Sequence, residues 1–281
     1  MRTINSRRKL RALLITLGSL GWIVLVGFDY QPQTLTVCPS GCVYSSIQQA
    51  IDIAHNGDIL QILPGTYIES LHISKSITLQ GVDASQVILK APDHKQDVIY
   101  AISFPFPIRL NISGVTITEG RAGIYVEGMA RVTIRESRIL KNMAGILLLN
   151  GFMHARIENN RIEGNGNLVY DTDFRYNKGG IVLRLEGMPQ LGMRWLSAQI
   201  QGNEILNNLP GISVDGANAW IENNLIQRNG MAGIVVYDSS WAVIQDNEIT
   251  QNWWTGVQTY YNPEVILNNN RIAENEDQVQ D

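Results

Sequence analysis

The sequence predicts an all-β solenoid, in which short extended segments stack coil upon coil behind one short capping helix. Three columns of residues carry this expectation. Asn160, Asn203, Asn224, Asn247 and Asn270 each stand two residues before an isoleucine (Ile162, Ile205, Ile226, Ile249, Ile272), as Ser137 stands before Ile139. A second polar column, Asn142, Asn165, Asn208, Asn229, Asn252 and Asn275, follows each isoleucine by three residues. The third column is glycine, at Gly123, Gly145, Gly180, Gly211, Gly233 and Gly256. Undisturbed copies lie 21 to 23 residues apart, as from Asn203 to Asn224 and from Asn224 to Asn247. That period is too short for a two-helix repeat or a propeller blade, and the spacing of a leucine-rich horseshoe is absent.

Within a copy the apolar residues alternate, as in Gly211-Ile212-Ser213-Val214, the signature of a strand with one buried face. Three short strands and three turns fit in such a copy. Coils of this kind stack as parallel strands about 4.8 Å apart and bury faces that none could bury alone. Asparagine suits the corners on two grounds: it tolerates left-handed backbone, and its stacked amides can hydrogen-bond along the axis. Glycine at a fixed corner is expected to meet the same backbone need.

Taken in order, residues 1–29 read as an export element. Arg2, Arg7, Arg8, Lys9 and Arg11 precede an uncharged run from Ala12 to Phe28. Its 17 residues lie between a signal-peptide core and a full membrane span, so cleaved peptide and uncleaved anchor through residues 12–28 both stay open. Arg7-Arg8 reads as a basic flank rather than a complete twin-arginine signal. Residues 30–45 form a lead-in whose two cysteines, Cys38 and Cys42, are the chain's only ones; a pair so close outside the cytoplasm is expected to form a disulfide loop. The solenoid is expected over 46–281. Ser45 to His55 predicts the helix, with Ile47, Ala50, Ile51 and Ala54 on one face, Ser45 and Gln48 as capping box and Asn56-Gly57 as stop.

Asp58 to Ile73 then reads as strand, Pro64-Gly65 turn and strand, followed by Ile77–Gly81 and Val87–Leu89. Residues 91–110 fit less well, since Pro105 and Pro107 forbid central strand pairing. Regular coils resume at Asn111. The copy between Asn160 and Asn203 takes 43 residues, which implies inserted loops around 166–178 and 186–196 on either side of Gly180–Leu183. The acidic tail from Glu274 to Asp281 carries no second capping helix, and its charges are expected to discourage end-to-end strand addition.

The N-Q/E-I, N and G-I/V-x-V pattern, preceded by YSSIQQAIDIAHNGDILQILPGTYIESLHISKSITLQG, resembles the pectin lyase-like superfamily. It is most similar to the repeat branch that includes the nitrous-oxide-reductase maturation protein. The resemblance covers Val43 to Asn275 and implies a single-stranded right-handed parallel β-helix. It does not fix an activity, because one fold hosts many functions. The acidic and histidine motifs of the pectin hydrolases, esterases and alginate epimerases find no match here, so no catalytic residue is carried over.

A formal charge of −4 and a pI near 5.6 leave no basic field for nucleic acid. The four histidines are scattered and read as surface or turn residues; no cofactor is expected, and a bound Ca2+ would have no motif behind it. Outward-facing residues after each corner glycine form the row Glu127, Leu149, Arg184, Asp215, Tyr237 and Tyr260. Carboxylate, guanidinium and aromatic groups on one flat face suit sugar recognition. Glu127, Arg184, Asp215, Tyr237 and Tyr260 are therefore the ligand-binding candidates, and the inserted loops would wall a groove beside Arg184. Catalysis of glycoside hydrolysis needs paired carboxylates, for which Asp171, Asp173, Glu186 and Asp215 are available; a lyase would draw on Arg184 or Arg175. The leading expectation is an extracytoplasmic monomer that binds polysaccharide or another cell-envelope component. A carbohydrate-active enzyme with its acids in 166–215 and an accessory scaffold for an extracytoplasmic partner are the rivals.

Overall fold

The computed structural model describes residues 9–16, 22–166, 178–185, 196–237 and 239–280, with the backbone alone for 9–16, 22–29 and 278–280. Three parallel ladders make the body. One begins at Thr34–Val37, continues through Ile59–Ile62 and Ile77–Gly81, and ends at Glu264–Asn268. A second runs for nine strands from Gly65–Ile68 to Arg271–Ala273. The third leads from Leu71–Ile73 to Asp277–Gln280, and its strands precede those of the first ladder in each coil. This is a right-handed parallel β-helix. The first strand lies ahead of the helix, so the ladder draws on the segment read as a lead-in.

The alternation seen in the sequence places one apolar row on another inside each ladder. Ile139, Ile162, Ile205, Ile226 and Ile249 stack in register in the second ladder, all with no solvent exposure. Ile124, Ile146, Ile181, Ile212 and Ile234 do the same in the third. Branched side chains with one preferred rotamer repeat well on a pleated surface, so like packs on like along the axis.

The asparagines form the expected amide ladders. Asn160, Asn203, Asn224 and Asn247 each donate Nδ2 to the Oδ1 of the next asparagine at 3.0 Å. The column from Asn142 to Asn275 repeats the pattern at 2.9 to 3.2 Å. The left-handed residue, however, is the one before: Lys141, Asn159, Asn207, Asn223, Arg228, Asp246, Gln251 and Asn269 have φ of 49 to 58°. The expectation that the ladder asparagines themselves take that backbone is corrected. Their side chains must point inward to meet their copies, and the preceding residue makes the bend.

The glycine column is corrected too. Gly123, Gly145, Gly180, Gly211 and Gly233 have no positive φ, but a Cβ at Gly145 would stand 2.4 Å from the Gly180 carbonyl oxygen and 3.1 Å from the Asn165 side chain. These glycines let each coil's backbone approach the next coil and the amide ladder beneath it.

The helix spans Ile47–Ile53, and its N-cap is Ser46, not Ser45. Ser46 Oγ accepts from the Gln49 amide, while the Glu69 carboxylate accepts from Ser46 Oγ and from the Ile47 and Gln48 amides. A carboxylate from the next coil thus takes the place of the expected Gln48 partner. At the other end Lys75 Nζ donates to the Ile51, Asp52 and Ala54 carbonyls. Ile47, Ala50 and Ile51 are buried in the core with Val37 and Leu60 and close the amino-terminal end.

Pro105 and Pro107 stay out of the pairing as expected, but regular coils do not wait for Asn111, because 99–103 and 108–110 already pair in register with the next coil. Between the pairs Ser103–Gly128 and Ile108–Ala130, residues 104–107 stand against Met129 alone, so Phe-Pro-Phe-Pro bulges from the ladder. The tail differs from expectation: Asp277–Gln280 pairs with the strand Thr255–Thr259 as a final rung. At this end Leu267, in register with the buried Ile244, is 39% exposed. Lys9–Thr16 and Trp22–Asp29 pair as an antiparallel hairpin, and no helix of the described residues is long and apolar enough to cross a membrane. Tyr30 anchors the following chain: its hydroxyl and the Gln33 amide both donate to the buried Asp58 carboxylate. Burial and that contact push the Tyr30 phenol up to about 12. Cys38 and Cys42 form the disulfide expected of them.

Candidate functional site

The row read from the sequence has the expected register, Glu127–Leu149–Arg184–Asp215 across adjacent coils. It is nevertheless split. Leu149 is buried with Met143, Leu147 and Val182 in a separate apolar cluster on the outside of the third ladder. Glu127 lies beyond that cluster and accepts from the Tyr125 hydroxyl at 2.8 Å; burial, then this contact, raise the Tyr125 phenol above its ordinary range. On the other side Arg184 Nε meets Asp215 Oδ2 at 3.4 Å, and the Tyr237 and Tyr260 rings stack with centroids 5.3 Å apart. Trp253 and Trp254 are exposed at the corner that leads into the Tyr260 strand. Asp171, Asp173, Arg175 and Glu186 lie outside the described residues, as do the walls expected of the two inserted segments.

The first ladder carries a second face that the sequence reading did not lay out. Along one outward row stand Arg109, Arg131, His154, Ser197, Asn218 and Trp241; along the adjacent row stand Asn111, Thr133, Arg156, Gln199 and Trp220. Register puts neighbours about 4.8 Å apart along the axis. A groove of about 810 Å3 runs over this face from Pro32 and Gly57 past Arg109 and Arg131 to His154 and Ser197. A hollow of about 440 Å3 brings Arg156 and Thr133 to the same four central residues, Arg109, Asn111, Arg131 and His154.

The electrostatics separate this face from the others. On the second ladder two of the arginines are neutralised: Arg161 pairs with Glu163 and Glu204, and Arg271 with Glu248, while Arg138 makes no ion pair among the described residues. Arg109, Arg131 and Arg156 make no ion pair among the described residues, and no carboxylate lines the groove or the hollow. Burial, then the charges of Arg131 and Arg156, lower the His154 imidazole below its ordinary value of 6.5. The neutral ring lies 2.8 Å from Ser197 Oγ. Beyond them Trp220 and Trp241 meet edge to face with centroids 4.9 Å apart. Cations, amides and indoles thus succeed one another along one sheet. The signal was present in the sequence: aligned on the ladder asparagines, VTIRES, ARIENN, AQIQGN and AWIENN place Thr133, Arg156, Gln199 and Trp220 at one position. Among the described residues no group of three His, Cys, Asp or Glu side chains could hold a metal ion.

The fold and its grooved, ladder-lined faces define a right-handed parallel β-helix protein. The chain belongs to the right handed beta helix region family, whose model matches residues 108–189 and 167–279, more than half of its length. No curated protein sequence matches the chain. Among solved structures it is similar to an alginate lyase from Paenibacillus sp. str. FPU-7, with TM-score 0.53 and 16% identity over 89% of this chain and 99% of that one. It is similar also to pectin methylesterase PemA from Erwinia chrysanthemi, with TM-score 0.52 and 12% identity over 88% and 92% of the two chains. The A-module of an Azotobacter vinelandii mannuronan C-5 epimerase gives 0.51 and 16% over 82% and 73%. At these identities the likeness is one of fold.

Proposed function

We propose that the protein binds an extended acidic polysaccharide along the first-ladder groove. The observation that carries this reading is the cluster of three arginines on two adjacent rows, without acidic partners among the described residues, on a protein whose net charge is negative. Guanidinium groups bind carboxylate or sulfate in two-pronged fashion, side-chain amides bind hydroxyls, and indoles offer faces for sugar rings. The regular rise of the coils suits a polymer with regularly spaced charges. The uronate polymers that the names of the structural neighbours indicate supply probes of that chemistry. The charged run and apolar stretch of residues 1–29, together with the disulfide, support a place outside the cytoplasm.

Titration calorimetry with polygalacturonate, alginate and a neutral glucan tests the reading. The wild type is expected to bind the acidic polymers and not the glucan, and Arg109→Gln/Arg131→Gln/Arg156→Gln to lose that binding. Retention by the triple variant together with loss in Arg184→Ala/Tyr237→Ala would move the site to the third-ladder face, where Arg184, Asp215, Tyr237 and Tyr260 make the alternative contact surface. One observation favours an enzymatic version of the same site: a neutral histidine within hydrogen-bond reach of a serine hydroxyl in the groove. Ester release or new chain ends from these polymers, abolished in His154→Ala and in Ser197→Ala, would support it; binding without turnover supports the binder.

A further inference from the structure

The two phenylalanines of the Phe-Pro-Phe-Pro bulge have no role in the fold or in the groove. Phe104 is 84% exposed and Phe106 78%, on a loop that the ladder pushes outward because two prolines cannot donate to it. Soluble surfaces seldom display two neighbouring phenylalanines at the tip of a protrusion without an apolar partner. A hollow of about 500 Å3 beneath the bulge is itself lined largely by apolar groups, among them Ile102, Phe104 and Met129.

Two neighbouring features specify the partner's chemistry. Arg109 stands two residues after the bulge, past the buried Ile108, and Arg131 beside it in the next coil, so on the groove side the apolar tip is flanked by two cations, while Glu127 lines the hollow on the other side. Pro107, at the base of the bulge, lines the same groove as Pro32, where the chain arrives from the uncharged run Ala12–Phe28. The position of Pro32 is held, since Asp58 ties down Tyr30 and Gln33 on either side of it. An apolar tip, cations around it and an apolar chain segment arriving at the same edge are the three requirements of a group that meets an anionic lipid surface.

We propose that the bulge is a membrane-docking element, with Phe104 and Phe106 entering the headgroup boundary of an anionic bilayer and Arg109 and Arg131 on its phosphates. A single weak lipid anchor holds only marginally, and a second contact makes attachment durable. The bulge supplies the second contact beside the amino-terminal run. It would also orient the rod, with Arg109 and Arg131 serving lipid phosphate at the membrane edge and polymer along the groove, and Arg156, Ser197 and the two tryptophans continuing the groove away from the bilayer.

The test uses the full chain, whose native cysteines are both in the disulfide, so that an introduced cysteine takes an environment-sensitive dye alone. Phe106→Cys and Phe104→Cys are labelled with nitrobenzoxadiazole, with Ile68→Cys on the second ladder as the reference. Each is mixed with vesicles of equal parts phosphatidylcholine and phosphatidylglycerol, and the dye is then challenged with dithionite. Docking is expected to shift emission at 104 and 106 to the blue and to slow their quenching at least tenfold relative to position 68. Equal quenching at all three positions overturns the proposal. Protection at 104 and 106 before any vesicle is added would also overturn it, by assigning the bulge to contact between copies of this chain. Because the dye reports the bulge itself, attachment through residues 1–29 alone cannot imitate the result. Nor does the outcome depend on polymer binding.

Discussion

At the residue scale the structure rests on groups that face copies of themselves. Asn208 receives the Asn165 amide and backbone N–H on Oδ1, and gives Nδ2 to the Ile162 carbonyl and to Asn229 Oδ1. Asn208→Ala would leave several of these buried groups unsatisfied at about 1 to 3 kcal/mol each. A loss of about 3 kcal/mol or more in urea unfolding is expected, whereas Asn159→Ala, at an exposed corner beside the other amide ladder, should lose about 1 kcal/mol, from its left-handed backbone alone. Gly145→Ala should be among the most damaging small changes, because its Cβ would collide with the Gly180 carbonyl; Gly41→Ala, with open space around it and only its left-handed backbone (φ +88°) against it, should lose about 1 to 2 kcal/mol. His154 carries a pH signature of defined sign. Its folded pKa lies below 6.5, so the unfolded chain takes the proton first, and the His154 contribution to stability falls as pH drops through that region. An acidic polymer offsets the field of Arg131 and Arg156 and raises that pKa, so binding should take up protons and tighten as pH falls. His154→Gln should flatten the profile measured by calorimetry in buffers of different ionisation heat.

At the scale of elements, the ends and the repeat have separate logic. The helix is only seven residues long and would be marginal alone, so its hold comes from Glu69 at one terminus, Lys75 at the other and the apolar face between. Glu69→Gln should cost about 1 to 2 kcal/mol, seen as a lower melting temperature, by removing the charge from the amino-terminal cap. A coil, by contrast, is a unit that can be removed whole. Deleting residues 204–224 would join Asn203 to Leu225 and keep both amide ladders and every apolar row in register. That variant is expected to melt cooperatively and to form a rod shorter by about 4.8 Å in solution scattering. A deletion of half that length would set strands against corners and should not fold.

For the whole molecule, the three faces divide the charge. The second-ladder face offsets Arg161 and Arg271 with cross-coil ion pairs, the third mixes an apolar cluster with an ion pair and stacked tyrosines, and the first groups three arginines that make no ion pair among the described residues. Salt is therefore a discriminating variable. Screening shortens the reach of exposed charges from about 10 Å at 0.1 M to about 3 Å at 1 M, so polymer affinity should fall steeply over that range while thermal stability changes little. A single Arg131→Gln should cost about tenfold in affinity at low salt, close to the 1.4 kcal/mol of one charge-assisted contact, and much less at high salt.

What the sequence by itself determined is the coil. The Asn, Ile and Gly columns defined its period, its parallel stacking and its inward rows, because identical side chains recurring at a fixed interval admit few packings. The prolines themselves foretold the break at Pro105 and Pro107, and the close spacing of Cys38 and Cys42 foretold their disulfide. Only the tertiary structure decided which residue at each corner bends, that the glycines yield space rather than torsion, and that Glu69 caps a helix more than a dozen positions before it. It also decided that Leu149 splits the row from Glu127 to Tyr260, and that Arg109, Arg131, His154 and Arg156 converge on one face. The physical reason is that corner geometry and surface charge depend on what the next coil presents. Residues 21 to 43 apart become neighbours only when the coils stack in register.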